Sequence, residues 1–206
     1  MPKTKNVLIV IGLIGAVIFI YNFWSADLVL GDDVTVSATV SETVSCTAST
    51  STTAFGTLTT SAVSTSTPDV TITMSCNYAS GCTLKVQDDG NATNPGLYST
   101  TVAYLIGSAN AAYADTATLA AGTEGYGIQG STNANGSGGT LTIATRYNQT
   151  GNAVGGFEIT DQSISSSTEP IANRETVVKH KAAISGLTKA ATNYSDILTY
   201  SCTGNT

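Results

Sequence analysis

The sequence predicts an all-β protein built as an antiparallel β-sandwich with elaborated loops. Three observations predict it. Short runs of alternating apolar and polar residues recur along the chain, Gly, Pro, Asn and Ser separate them, and no sustained 3.6-residue periodicity is present. About eight or nine short strands punctuated in this way are typical of an antiparallel sandwich.

A hydrophobic helix is predicted to precede the sandwich. Lys3 and Lys5 come before the apolar run Val7–Ile20, and aromatic residues follow it. A basic flank, an apolar run and an aromatic belt are the pattern of an export signal or a membrane anchor. Residues 1–26 are therefore expected to be a signal or anchor helix, and the bulky residues at the candidate cleavage sites favour an uncleaved anchor over a cleaved signal.

The charge of the remaining chain excludes two kinds of partner. Beyond the apolar run, six basic residues stand against fourteen acidic ones, which gives a net charge of −8. Nucleic acid binding needs a basic surface, so nucleic acid is not an expected partner, and neither is an anionic membrane surface. Only 11% of the residues are charged, a composition found in exported β-proteins.

The longest alternating run, Val34–Cys46, lies just before the sandwich domain. Thirteen residues at about 3.3 Å each extend about 43 Å, whereas an ordinary strand has about 5–6 residues. Glu42 alone interrupts its apolar positions. The run belongs to an extension over residues 27–46, and the sandwich domain is predicted over residues 47–206.

The length of this run suggests a strand that is shared between two copies of the chain. We expect Val44–Cys46 to remain in its own sandwich and the earlier part to be a donor strand, which adds to an open sheet edge of a neighbouring copy. The apolar residues that would enter that neighbour are Val34, Val36, Ala38 and Val40. The alternative is a strand that kinks at Glu42 and serves both sheets of one domain.

The four cysteines favour two disulfides, because an even number in an exported chain usually pairs. Cys76 and Cys82 flank the turn "NYASG" between two alternating runs, so a β-hairpin closed by a Cys76–Cys82 bond is predicted. Cys46 is expected to meet Cys202 beside the final strand. Zinc is the competing interpretation, and it is disfavoured because the sequence has no second closely spaced pair.

One loop carries candidate calcium ligands. Carboxylate and amide oxygens of Asp88, Asp89, Asn91 and Asn94 are close in sequence, and oxygen ligands suit calcium. Their spacing does not match a twelve-residue calcium loop, and Asp-Gly between strands is ordinary turn chemistry. A turn is therefore the favoured interpretation.

The sequence offers few parts for catalysis or sugar binding. His180 is the only histidine, it shares the apolar parity of its strand, and no nucleophile elbow accompanies it, so no catalytic residue and no cofactor is expected. Tyr126 between two glycines could stack on a sugar, although a core position is more usual. Four sequons are candidate glycosylation sites where the machinery exists: Asn91, Asn135, Asn148 and Asn193.

The two ends of the chain resemble secreted immunoglobulin-like surface domains of bacteria and archaea, among them pilus and biofilm-filament subunits. The resemblance rests on "ATVSETVS" and "FGTL" near the start and on a pattern near the end: Leu187, Thr188, Ala190, Asn193, Tyr194, Asp196, Leu198, Thr199 and Tyr200. It implies an immunoglobulin-like sandwich.

Three functions from different classes follow. The favoured one is a non-enzymatic structural subunit of a surface filament, whose partners are other copies of itself and, through the N-terminal helix, the membrane. The second is a membrane-anchored adhesin or glycan-binding module, and the third is a secreted hydrolase. Within the filament class a type IV pilin is disfavoured, because "KTKNVLIVIG" lacks both an early Glu and a small residue at a leader site.

Overall fold

The computed structural model describes residues 33–206, and these confirm an all-β protein with antiparallel sheets. The expected anchor helix lies outside the described residues. Among those described, no helix is long and apolar enough to cross a membrane. One 3-10 turn, Ala109–Ala111, is the helical element within residues 33–206.

Fourteen strands lie between residues 44 and 204. They are β1 Val44–Ala48, β2 Ser64–Thr65, β3 Val70–Cys76, β4 Cys82–Asp88, β5 Gly96–Ser99, β6 Tyr104–Gly107, β7 Thr116–Thr118, β8 Gly125–Thr132, β9 Ser137–Gly138, β10 Thr142–Ile143, β11 Ala153–Gly155, β12 Gln162–Ser166, β13 Ile171–Ala183 and β14 Leu198–Gly204.

The strands form two main sheets and a small hairpin. The larger sheet has the order β1-β3-β13-β8-β11-β7, with β2 and β9 also paired to β13. The smaller sheet has the order β10-β12-β4-β14, and β5 pairs with β6. β1 and β14 are therefore edge strands, each hydrogen-bonded to a neighbour on one side only.

The two sheets share one core, which gives the sandwich-like layering. Strict alternation in β3 and β4 buries every second residue, as the sequence predicts. Ile72 and Val178 of the larger sheet belong to the same buried cluster as Leu84 and Ile164 of the smaller one. The compact unit that contains this core comprises residues 41–206, so it begins slightly before the predicted domain boundary at residue 47.

The predicted hairpin between β3 and β4 is wrong. β3 pairs with β1 and β13 in the larger sheet, whereas β4 pairs with β12 and β14 in the smaller one. The turn between them is an arch that carries the chain from one sheet to the other. Gly81 in this arch has φ +75°, and a Cβ there would collide with the backbone of Ser167.

Both expected disulfides are present, and both connect the two sheets. Cys76 pairs with Cys82 across the arch, with their Cα atoms 6.4 Å apart. Cys46 of β1 pairs with Cys202 of β14, with Cα atoms 6.1 Å apart. The bond predicted to close a hairpin therefore joins two layers instead.

The predicted strand over Val34–Cys46 is present only in part. Regular structure begins at Val44, and residues 33–43 form no strand in this single chain. The start of the sheet is fixed by Asn77, whose Oδ1 accepts from the amide of Thr43 at 2.7 Å and whose Nδ2 donates to the carbonyl of Ser41 at 2.8 Å. A strand needs hydrogen-bonding neighbours on at least one side, and the first pairing in β1 is Val44 with Cys76.

Candidate functional site

A groove opens in the compact unit near the two edge strands that the Cys46–Cys202 disulfide connects. It has a volume of about 730 Å³. Ala48, the last residue of β1, and Leu198 and Tyr200 from β14 contribute to its walls, and the chain that leaves β1, residues 50–58, lines it further. The groove is therefore bordered by β14, whose outer edge has no strand partner.

The apolar part of the groove comes from the larger sheet and from the β5–β6 hairpin. Val70 at the start of β3 and Tyr126 of β8 line it together with Leu97 of β5. Phe55 packs edge-on against the Tyr126 ring at 6.2 Å between ring centroids. Such a surface suits apolar side chains that enter between the layers.

His180 also lines the groove, and the structure places it as a buried structural residue. Its Nδ1 lies 3.4 Å from Ser66 Oγ and its Nε2 lies 3.2 Å from Tyr200 Oη. Burial lowers the pKa of His180 to about 4, opposed by the charge of Asp69. His180 is 3% exposed and Ser66 is 2% exposed, so neither presents an accessible nucleophile or base.

A pair of carboxyl groups lies where β14 begins. Asp88, the last residue of β4, is 1% exposed, and Asp196 is half-buried at the wall of the groove. Asp88 Oδ1 accepts from the Gly96 amide at 3.2 Å, and Asp196 Oδ1 accepts from the Gly90 amide at 3.3 Å. The Oδ2 atoms of both groups are buried and have no donor within the described chain.

The electrostatics of this pair favour one bound proton. Burial raises the pKa of Asp88 to about 9, with a further contribution from the negative charge of Asp196. The pKa of Asp196 is also raised by burial. Asp88 continues the buried parity of β4, but no sequence pattern pairs it with Asp196.

The residues expected to donate a strand are strongly exposed. Val34, Val36 and Val40 are 82%, 88% and 82% exposed, and Ala38 is exposed as well. Three valines within seven residues are an unusual amount of apolar side chain to leave in water. The segment between them is uncharged.

The candidate calcium ligands are not brought together. Asp88, the last residue of β4, is buried, while Asp89, which follows the strand, is exposed. Asn91 Oδ1 instead accepts from the amides of Thr93 and Asn94 at 3.1 and 2.8 Å, which is turn chemistry. Residues 33–206 contain no group of three or more His, Cys, Asp or Glu side chains that could hold a metal ion.

Tyr126 does not present a free stacking face. It is 2% exposed, and its ring packs against Phe157 at 5.2 Å between centroids as well as against Phe55. A sugar could not reach the face of this ring without displacing the core.

The four sequons differ in how free their amide groups are. Asn135 Nδ2 donates to Glu175 and Asn193 Nδ2 donates to Thr100, whereas the Asn91 side chain caps its own turn. Asn148 is exposed, and its side chain makes no hydrogen bond within residues 33–206. Asn148 is thus the most accessible acceptor of the four.

Comparison with known proteins gives no relative for this chain. It matches no protein-family model, no curated protein and no solved structure. The features that bear on function are the groove, the free edge of β14 and the exposed valines ahead of β1.

Proposed function

We propose that the protein is a non-enzymatic structural subunit of an extracellular filament, joined by strand addition. In this proposal Val34–Val40 of one copy lies along β14 of the next copy and places its apolar side chains in the groove. One observation carries the proposal: the same chain has an exposed alternating segment and a partly apolar groove beside a strand with a free edge.

Backbone pairing supplies the first part of the expected affinity. An added strand hydrogen-bonds to the free edge of β14, which otherwise presents unpaired amides and carbonyls to solvent. An unpaired edge of this kind is a site of unspecific aggregation unless it is covered. Occupation by a donor strand gives the edge a defined partner.

Burial of valines supplies the second part. Each fully exposed valine that becomes buried contributes about 1.5–3 kcal/mol before the cost of ordering the chain. Val34, Val36 and Val40 each have most of their surface available for this gain. The polar Thr and Ser residues between them would face away from the groove, which matches strand alternation.

Such a contact generates a fibre. Donor and acceptor are different surfaces of one chain, so the contact is head-to-tail and each added copy exposes a new acceptor. The two disulfides agree with an exported location, where oxidising conditions allow them to persist. The immunoglobulin-like form of the sandwich and attachment to the membrane through the N-terminal helix before assembly belong to the same proposal.

The proposal is tested by shortening the donor segment in the full-length chain. Deletion of Asp32–Val40 should abolish polymers seen by negative-stain electron microscopy, while the melting temperature of the monomer changes little. Val36→Asp should have the same effect, because it places a charge in the groove, and Thr35→Asp is the matched control on the opposite face. Polymers that persist after the deletion would show that strand addition is wrong.

The second candidate is a membrane-anchored adhesin or glycan-binding module. It is favoured by the tyrosines near the groove, since Tyr194 and Tyr200 line it beside Asp196 and its volume lies in the range of about 300–1,000 Å³ typical of ligand pockets. A monomeric full-length protein that binds immobilised glycans, with binding lost in Tyr194→Ala, would favour this function over the filament.

A further inference from the structure

The acid pair Asp88–Asp196 has a position that connects it to the acceptor edge. Asp196 lies two residues before β14, and Asp88 is the partner of Leu198 in the pairing of β4 with β14. The adjoining chain is held by the Asp89 amide, which donates to the Ile197 carbonyl at 3.1 Å, and by Gly90, which donates to Asp196. A movement of Asp196 would therefore displace Leu198, the first residue of β14, which lines the groove.

The hydrogen bonds of the pair are incomplete unless a proton lies between the two groups. Each Oδ1 has an amide donor, whereas both Oδ2 atoms are buried without one. A carboxylate offers only acceptors, so two carboxylates cannot satisfy each other, but one protonated carboxyl donates to the other and satisfies both. Two buried oxygens without hydrogen-bond partners would lower the free energy of unfolding.

No basic side chain takes the place of that proton within residues 33–206. The charged groups that act on the pair are the two carboxylates themselves and Asp89. The titratable neighbours are Tyr126, whose hydroxyl lies within reach to donate to Asp196, and Tyr147 and Tyr200. The ion pairs of the described chain, Arg146–Glu158 and Lys179–Asp69, use other carboxylates.

We propose that Asp88 and Asp196 share one proton, and that its loss loosens the start of β14 and weakens the groove as an acceptor for the donor strand. The proton resides on Asp88, the more deeply buried of the two, and Asp196 accepts from it. When the proton leaves, two negative charges face each other in a dry site, and the segment before β14 moves to separate them. The part that concerns the acceptor rests on the proposed function, whereas the shared proton does not.

The raised pKa values of the pair determine the direction in which the stability of the fold changes with pH. A carboxyl group that is protonated when folded and ionised when unfolded gives the folded state one more proton at neutral pH. Stability then falls as the pH rises, and the unfolding equilibrium constant increases up to about tenfold per pH unit. The window from about pH 7.5 to 8.5 isolates this effect, because His180 is then largely neutral in both the folded and the unfolded state.

The shared proton is tested by thermal and urea unfolding of the full-length protein in detergent across that window. Asp88→Asn keeps an oxygen for the Gly96 amide and offers a permanent donor to Asp196, so its unfolding constant should be nearly independent of pH. Asp196→Asn removes the facing charge and offers a donor to Asp88, so it should reduce the slope, and it serves as the second variant. Asp161→Asn, which removes an exposed carboxyl that does not act on the pair, is the control and should keep the wild-type slope.

Two results would overturn the shared proton. One is a wild-type unfolding constant that does not change with pH, or that changes equally in wild type and Asp88→Asn. The other is a rise in wild-type melting temperature on adding calcium chloride at pH 8 that Asp88→Asn abolishes, because a cation would then occupy the site.

The effect of the proton on β14 as an acceptor strand is measured by the yield of polymer at different pH values. Wild-type polymer yield should fall between pH 7.5 and 8.5, and that of Asp88→Asn should not. If yields of both respond equally to pH, the acceptor part is wrong while the shared proton stands on its unfolding data. If no polymer forms at any pH, the proposed function fails, and the acceptor part fails with it.

Discussion

Cys46 and Cys202 join the first strand of the larger sheet to the last strand of the smaller one, across a sequence separation of 156 residues. Both strands are sheet edges, and the groove opens beside them. Cys76–Cys82 connects the same two sheets through the arch. The sandwich is thus held by two covalent links between its layers, one of which lies next to the proposed acceptor.

The long-range disulfide should contribute more stability than the short one. In a chain-entropy model the long loop closed by Cys46–Cys202 is worth up to about 5 kcal/mol, and the short Cys76–Cys82 loop about 2 kcal/mol. We expect the double variant Cys46→Ser/Cys202→Ser to lose more free energy of unfolding than Cys76→Ser/Cys82→Ser, as measured by urea unfolding. Equal losses, or the reverse order, would show that local packing decides the effect instead.

The strand parities were predictable from sequence, and the pairing of the strands was not. Alternation identifies the buried faces of β3 and β4 because each faces the shared core. The same alternation arises whether two strands pair in one sheet or face each other across a sandwich, so it cannot distinguish a hairpin from an arch. Only the positions of β13 and β14, distant in sequence, make that distinction.

Of the candidate site, only the donor segment Val34–Val40 was predictable from the sequence. The exposed valines follow from the alternating run, whereas the groove depends on where β14 and residues 50–58 lie after folding. The acid pair had a sequence signal, since Asp88 extends the buried series Cys82, Leu84 and Val86. Its partner Asp196 is 108 residues away, and no local pattern connects the two.

His180 should make the protein less stable in acid. Burial lowers its pKa to about 4 from an ordinary value of 6.5, so the unfolded chain binds a proton that the folded chain does not between those values. The free energy of unfolding of wild type should therefore fall, relative to His180→Gln, as the pH decreases from 6.5 to 4. A difference between the two proteins that stays constant over this range would contradict a neutral buried imidazole.

No hydrolytic activity is expected from the Ser66–His180 contact. Both side chains are buried, and the second nitrogen of His180 faces the Tyr200 hydroxyl rather than a carboxylate. Ser66→Ala and His180→Ala should leave the background rate with ester and peptide substrates unchanged, and His180→Ala should cost about 1 kcal/mol of stability. A turnover that either substitution abolishes would overturn the non-enzymatic interpretation.

Glycosylation, in a host that modifies sequons, should favour Asn148. Its amide is free in the described chain, whereas those of Asn135 and Asn193 donate to Glu175 and Thr100. Glycopeptide mass spectrometry should find higher occupancy at Asn148 than at Asn135 or Asn193. Higher occupancy at Asn193 would show that modification precedes folding, because this side chain also accepts from Ser99 at 2.7 Å.

The most direct test of strand addition locates the donor segment in assembled protein. A photo-crosslinking amino acid is placed at Val36 of the full-length chain, with Thr35 as the control on the opposite face, and isotope-labelled and unlabelled copies are mixed before assembly. We predict crosslinks from position 36 to Leu198 or Tyr200 of another copy, and far fewer from position 35. Crosslinks from position 36 that stay within one chain, or that avoid the groove, would contradict the account.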